Sequence, residues 1–270
     1  LPDAHVEAPT SGSVILASVL LKVGGYGMIR FMLPITTDAG IYLSEYMIYL
    51  SLIAIIYISF VAYAQEDMKK LIAYSSVAHM GFVTLGIFLV FNLLDSNTSA
   101  AIIGLEGAMV QMISHGLISA ALFFCIGIIY KHSKSRLLKD NYGVSKFMPI
   151  FSFMMIFFLM ANSGLPGTSG FVGEFLVITS SLGSSFLFGL LAATSLLLSA
   201  SYSLKMGKTV LFGDNIKNTQ GYIECSSNEK IVLAILIIFI LYLGIVPDYL
   251  FKIIDQSVIG IVESLSAGKT

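Results

Sequence analysis

The sequence predicts an all-α polytopic membrane protein with about seven transmembrane helices, one of them broken. Of its 270 residues, 56% are hydrophobic and only 11% are charged, and the mean hydropathy is +0.88. A soluble protein of this length carries about 25% charged residues. Apolar runs long enough to cross a bilayer recur along the whole chain, so residues 1–270 are interpreted as a single transmembrane domain. A net charge of −1 gives no indication of nucleic-acid binding.

Each predicted crossing is an apolar run of roughly the length that a membrane requires. A hydrocarbon core takes about 20 helical residues to cross. The runs lie at roughly 10–33, 46–65, 70–93, 101–130, 149–181, 184–206 and 230–250.

The fifth crossing is predicted to be broken at 164–170. Pro166 removes a backbone donor, and Gly164, Gly167 and Gly170 loosen the backbone around it. The apolar stretches on the two sides of this segment are each too short to cross alone. Together they reach across at about 1.5 Å per residue, so the two halves are interpreted as one interrupted helix.

The distribution of Lys and Arg predicts the orientation. Eleven of the fifteen Lys and Arg residues fall in the loops 66–70, 131–146 and 205–230, which lie on one side of the membrane: Lys69, Lys70, Lys131, Lys134, Arg136, Lys139, Lys146, Lys205, Lys208, Lys217 and Lys230. The opposite side has Arg30, Lys252 and Lys269. An excess of positive charge marks the cytoplasmic or matrix side, so the loops and the N-terminal residues are predicted to lie there.

Glu174 is the most informative residue of the chain. It is the only charge between Lys146 and Lys205, a run of 58 residues. A carboxylate beside a helix break within a membrane is costly, and transporters build ion sites at such breaks. We expect the N-terminal end of the half-helix after the break to favour its anion. The alternative is that Glu174 only pairs with a backbone donor and holds the break.

Three more spans place one ionisable residue near their centres: Lys22, His79 and His115. With Glu174 they predict a row in the membrane plane, as a proton relay requires. A lysine in low dielectric can load and release a proton, and histidine titrates near neutral pH. The two histidines could instead be interhelical hydrogen-bonding residues. Glu106 lies nearer a helix end, where water reaches it.

Metal and redox chemistry on this chain are not predicted. The histidines of the spans lie on different helices, without a ligand pair at i,i+4 spacing. Cys125 and Cys225 lie far apart in no metal or redox motif, and both are interpreted as inert thiols.

Five motifs of the chain are long and ordered: LPDAHVEAPTSGS (1–13), LLKVGGYGMIR (20–30), LIAYSSVAHMG (71–81), SHGL (114–117) and GLPGTSGFVGEF (164–175). They resemble the antiporter-like membrane subunits of respiratory complex I, the NADH:ubiquinone oxidoreductase, and in particular its subunit 4. Mrp-type cation/proton antiporter subunits share several of them. Glutamate at position 174, where many relatives carry lysine, favours subunit 4.

The resemblance implies a fold of fourteen transmembrane helices in two inverted repeats, of which this chain is similar to the last seven and contains the second repeat. Lys22 then matches the central lysine of the family. His79 and His115 match the histidines of its polar axis, and Glu174 matches the terminal residue from which the proton leaves. The implied function is proton translocation coupled to NADH oxidation and ubiquinone reduction elsewhere in the complex.

The resemblance also implies partners and a location. FMN, iron–sulfur clusters and ubiquinone belong to the complex, and none is expected on this chain. Expected partners are other membrane-arm subunits, including neighbouring antiporter-like subunits, membrane lipids, and a separate chain carrying the first repeat. The mitochondrial inner membrane is expected, with a bacterial plasma membrane as the alternative. A stand-alone Mrp-type antiporter is the alternative function. A structural subunit that no longer pumps would lack the buried charges.

Overall fold

A computed structural model describes residues 1–213 and 222–267, and within them the chain is almost entirely helical. The predicted all-α class is confirmed. The helices are α1 (Pro2–Glu7), α2 (Thr10–Ile35), α3 (Thr37–Ala64), α4 (Met68–Leu93), α5 (Thr98–Ser133), α6 (Pro149–Asn162), α7 (Ser169–Ser184), α8 (Phe186–Phe212), α9 (Ser227–Ile245) and α10 (Asp248–Ala267).

Among the described residues, six helices are long and apolar enough to cross a membrane singly: α2, α3, α4, α5, α8 and α9. By length and composition, α6 also forms a candidate span with the short turns at Leu138–Lys146, at a bend of 119°. Those turns carry Lys139, Asp140 and Lys146, so their charges favour the aqueous boundary. At 14 and 16 residues, α6 and α7 are each too short to cross singly, so we interpret the two together as the seventh crossing.

Helices α4 and α5 form the centre of the molecule. In their most apolar stretches 78% and 72% of the residues are buried, against 11% in α9. Phe82 of α4 and Phe123 of α5 are almost completely buried. Helices α2, α3 and α9 have largely exposed apolar faces, as lipid-facing or partner-facing helices do. The polar side chains of α4 and α5 are consequently removed from lipid.

The break between α6 and α7 runs from residue 163 to residue 168, so it begins one residue earlier than the predicted 164–170 and ends two residues earlier. Gly164 and Gly167 have φ angles of 74° and 90°, which favour glycine. Gly170 does not belong to the break, because α7 has already begun. A Cβ at Gly170 would lie 2.8 Å from the carbonyl oxygen of Ala161. Its lack of a side chain serves close packing, which a sequence cannot distinguish from turn formation.

The loops predicted to share one side of the membrane meet at one end of the molecule. The N–H of Met68 donates to the carbonyl of Arg136 over 2.9 Å, and the N–H of Leu138 donates to Glu66 over 2.8 Å. The hydroxyl of Tyr222 donates to Oδ1 of Asn141 over 2.6 Å. Two charges of the predicted distribution, Lys217 and Lys269, lie outside the described residues.

Helix α10 lies beyond the last predicted crossing, which ends near residue 250. Its buried side chains lie along one face at helical spacing, and most of its polar side chains lie on the other. The carboxyl group of Asp255 on α10 faces that of Glu106 on α5. The amphipathic α10 therefore packs across the end of the bundle opposite the charged loops. Its buried residues are Ile254, Val258, Val262 and Leu265.

Candidate functional site

Lys22 follows a π-helical segment, Leu16–Leu20, near the middle of α2. Its Nζ donates to the carbonyl oxygen of Ala17 over 2.5 Å and lies 2.6 Å from Nδ1 of His115. Single π turns inside α-helices are frequent at functional sites. An ammonium group only donates hydrogen bonds, so Nδ1 of His115 accepts from a charged Lys22.

His115 on α5 faces His79 on α4, and His79 in turn contacts Glu174 on α7. The ring centroids of His79 and His115 are 5.6 Å apart. Nδ1 of His79 lies 2.8 Å from Oε1 of Glu174, with both side chains almost completely buried. The packing therefore brings the four predicted residues into one row, in the order Lys22, His115, His79 and Glu174.

The two carboxylate oxygens of Glu174 have different surroundings. Oε1 is near Nδ1 of His79 and accepts from Nε2 of Gln111 over 3.4 Å. Oε2 is buried and has no hydrogen-bond partner within residues 1–213 and 222–267. A Cβ at Gly164 would lie 3.2 Å from Oε2, so this oxygen faces the helix break.

Glu174 lies further from the start of its half-helix than the sequence suggested. It is in the second turn of α7, which begins at Ser169. The effect of a helix N-terminus falls off within about the first turn. The effect of that terminus on Glu174 is therefore small, and the close contacts of the carboxyl group are those of Oε1.

Gly173 allows α7 to approach α5 closely. A Cβ at this position would lie 2.7 Å from Oε1 and 2.8 Å from Cα of Gln111. These distances are shorter than any ordinary carbon contact, so a larger residue would push the two helices apart. The absence of this side chain lets Glu174, the next residue, reach both Gln111 and His79.

The two histidines and the carboxylate of Glu174 border a small cavity. Its volume of about 10 Å³ is close to the minimum for one water molecule. A water there would have several polar partners, so it would be a suitable bridge. The cavity is lined by His79, Gln111, His115, Ile118, Ala161, Asn162, Gly170 and Glu174.

Sequence reasoning missed four uncharged polar residues of this site: Gln111, Tyr202, Ser75 and Asn162. The hydroxyl of Tyr202 lies 3.2 Å from Nε2 of His79, on the side of the ring away from Glu174. All four are buried inside the bundle. Their position within apolar spans was the available signal, because a polar group there needs a partner.

The cysteines lie apart from the row. Cys125 and Cys225 are buried free thiols. Burial and then a hydrogen bond to Glu224 raise the pKa of Cys225, in the loop before α9, to about 11. In the described part of the chain, no group of three or more His, Cys, Asp or Glu residues is arranged to hold a metal ion.

Solved structures share this fold. Respiratory complex I from Thermus thermophilus contains a chain that matches 95% of this one with a TM-score of 0.85 at 24% identity. A chain of the Mrp complex from Dietzia sp. DQ12-45-1b matches 99% with a TM-score of 0.80 at 16% identity. This chain covers 52% and 55% of those two chains. At these identities the likeness shows the fold alone.

Sequence comparison is more specific. NADH-quinone oxidoreductase subunit M of Rhodobacter capsulatus is 46% identical over 99% of this chain and 50% of its own length. NADH-ubiquinone oxidoreductase chain 4 of Chondrus crispus is 43% identical over 98% of this chain and 52% of its own length. The chain thus spans about half the length of these curated relatives. Residues 1–199 match the model of the NADH:quinone oxidoreductase/Mrp antiporter transmembrane family, and the chain belongs to that family.

Proposed function

We propose that this chain is the part of a complex I membrane-arm subunit through which protons leave the central axis. The observation that carries the proposal is the row from Lys22 to Glu174, with 2.6 Å and 2.8 Å contacts at its two ends. It lies in a buried polar interior where isolated charges would be costly.

The geometry gives each residue a role in this proposal. Lys22 passes a proton from Nζ to Nδ1 of His115. A water molecule in the small cavity bridges His115 to His79. Nδ1 of His79 passes a proton to Oε1 of Glu174, and the carboxyl group releases it from Oε2 towards the helix break. The first and the last of these transfers cross contacts of 2.6 Å and 2.8 Å, which are within hydrogen-bond reach.

We propose that NADH oxidation and ubiquinone reduction take place on other subunits, so that this chain is part of an enzyme without a redox site of its own. FMN, the iron–sulfur clusters and ubiquinone would bind those partners. Reduction of quinone would reach this chain as a change in electrostatic potential along the row. The identities of 46% and 43% to complex I subunits support this reading over a stand-alone Mrp-type antiporter.

We propose that the half of the relatives not matched by this chain packs beside Lys22. A largely apolar groove of about 580 Å³ runs between α2 and α5, and Lys22 lies in its wall with Tyr26 and Met112. A cation in an apolar groove favours a partner that supplies polar groups. Neighbouring antiporter-like subunits and lipids would cover the other apolar faces.

The proposed location is the mitochondrial inner membrane, with a bacterial plasma membrane as the alternative, because the relatives include both bacterial and algal proteins. Membrane fractionation with antibodies to each compartment distinguishes the two. Comigration of the chain with flavin and iron–sulfur proteins on a native gel distinguishes complex I from a stand-alone antiporter.

Glu174→Gln tests the proposal, because it keeps the shape of the side chain and removes its exchangeable proton. We expect proton transfer at this step to slow about 100-fold while the complex still assembles. Ser195→Ala is the matched control, since this buried hydroxyl on α8 has no partner among the described residues. A wild-type number of protons moved per NADH in Glu174→Gln would refute the proposed role.

A further inference from the structure

Behind His79 a short hydrogen-bonded chain runs away from Glu174. Oη of Tyr202 on α8 lies 3.2 Å from Nε2 of His79. The hydroxyl of Ser75 on α4 donates to Oη of Tyr202 over 3.0 Å. Nδ2 of Asn162, the last residue of α6, donates to Oγ of Ser75 over 3.2 Å. Three helices therefore converge on the nitrogen of His79 that faces away from the carboxylate.

The donors and acceptors fix the direction of this series of hydrogen bonds. The amide nitrogen of Asn162 has two hydrogens, and it directs them to Ser75 and to Ser203, the latter over 3.2 Å. Ser75 accepts one of them, and its own hydrogen goes to Tyr202. The hydrogen of Tyr202 is then available to Nε2 of His79, which accepts it only if that nitrogen carries no proton.

An imidazole that accepts at Nε2 carries its hydrogen at Nδ1 when it is neutral. Nδ1 is the nitrogen that lies 2.8 Å from Oε1 of Glu174, an acceptor when ionised. The opposite tautomer would direct the lone pair of Nδ1 at a carboxylate, which is repulsive. The hydrogen-bonded chain thus sets which atom of His79 presents a proton to Glu174.

We propose that Tyr202 is a positioning residue that holds neutral His79 as the Nδ1–H tautomer, directed at Glu174. This inference rests on the proposed proton relay. During transfer His79 gains a second proton at Nε2, and the imidazolium then passes its Nδ1 proton to Oε1 of Glu174 and becomes neutral again. Tyr202 keeps its own proton throughout, so it acts only through His79.

The test is performed on the assembled complex in native membranes. In Tyr202→Phe the ring remains and only the hydroxyl is lost, so Nε2 of His79 has no donor. We expect the rate of proton translocation during NADH oxidation to fall about three- to tenfold, which is the effect of losing one hydrogen bond. Ser195→Ala, also a lost hydroxyl on α8, should behave as wild type.

The tautomer itself supplies a measurement that a merely structural role would not change. Infrared difference spectra with ¹⁵N-labelled histidine contain imidazole ring bands that depend on the tautomer, and the His79 band is identified by its loss in His79→Ala. We expect the Nδ1–H form in wild type and a shift towards Nε2–H in Tyr202→Phe. The charged and titratable groups facing His79 are Glu174 on α7, Tyr202 on α8 and His115 on α5, with Lys22 on α2 behind His115.

An Nε2–H band in the wild-type complex overturns the inference, even if Tyr202→Phe fails to assemble. It is also overturned if Tyr202→Phe matches Ser195→Ala in both the band and the pumping rate. Failure of the proposed function is a separate result, namely wild-type pumping in both Glu174→Gln and His79→Ala. In that case the band would report a tautomer without a role in transfer.

Discussion

At the scale of single residues, Lys22 differs from a structural lysine because its contacts are neutral. Nζ contacts a carbonyl oxygen and an imidazole nitrogen, neither of which holds a permanent negative charge. A buried ammonium held in this way can give up its proton without leaving a carboxylate unpaired. The surroundings of Lys22 therefore suit proton exchange more than charge storage.

We expect Lys22→Arg to slow proton translocation about as much as Lys22→Met, because a guanidinium keeps its proton at every accessible pH. Lys208→Arg, at an exposed position on α8, should leave the rate unchanged. The rate of proton translocation is measured in sealed vesicles during NADH oxidation. Normal translocation in Lys22→Arg would mean that only the positive charge is required.

Gly164 combines two requirements at the helix break. Its φ of 74° disfavours a side chain, and an added Cβ would lie 3.1 Å from Cδ2 of Leu196 and 3.2 Å from Oε2 of Glu174. We expect Gly164→Ala to reduce stability by about 1–2 kcal/mol and to slow translocation. Gly27→Ala is the matched control, since nothing lies within 4 Å of an added Cβ there. Equal heat resistance of the two variant complexes would contradict the expectation.

At the scale of elements, a loop residue caps the start of the broken helix. Oε2 of Glu224 accepts from the N–H of Ile150 over 2.9 Å, and Oε1 accepts from the N–H of Phe151 over 3.2 Å. These N–H groups have no partner within α6. Burial by itself raises the pKa of Glu224, but hydrogen bonds from Cys225, Ile150 and Phe151 outweigh it and hold the pKa below its ordinary value.

The sign of the pH dependence follows from that lowered pKa. A carboxyl group with a lower pKa in the folded state stabilises the protein above its unfolded pKa, and this contribution is lost as the pH falls through the folded pKa. We expect Glu224→Gln to reduce stability by about 1 kcal/mol at pH 7. The difference from wild type should shrink below about pH 4.

Thermal denaturation of the purified complex at several pH values measures this effect. Glu263→Gln, at an exposed position on α10, is the matched control and should change little at any pH. A Glu224→Gln deficit that stays constant down to acid pH would show that the ionised carboxylate is not what stabilises α6.

At the scale of the whole molecule, the orientation follows from the charged loops. They lie at one end of the bundle and α10 crosses the other. We expect a cysteine at Lys139 to react from the matrix or cytoplasm, and one at Ser266 to react only from the opposite compartment. Both native cysteines are buried, so their background labelling by an impermeant reagent should be low. Reaction of both introduced thiols from one side would mean that the number of crossings is wrong by one.

The sequence by itself determined the membrane class, the spans, the helix break and the four ionisable residues. Hydropathy, proline and loop charge act over a few neighbouring residues, so these features can be predicted locally. Only the tertiary structure decided which side chains meet, since His79 and Glu174 are 95 positions apart. It also decided the use of Gly170, the packing of α10, and the contacts of Tyr202. These depend on how closely helices approach, which is set by side chains distant along the chain.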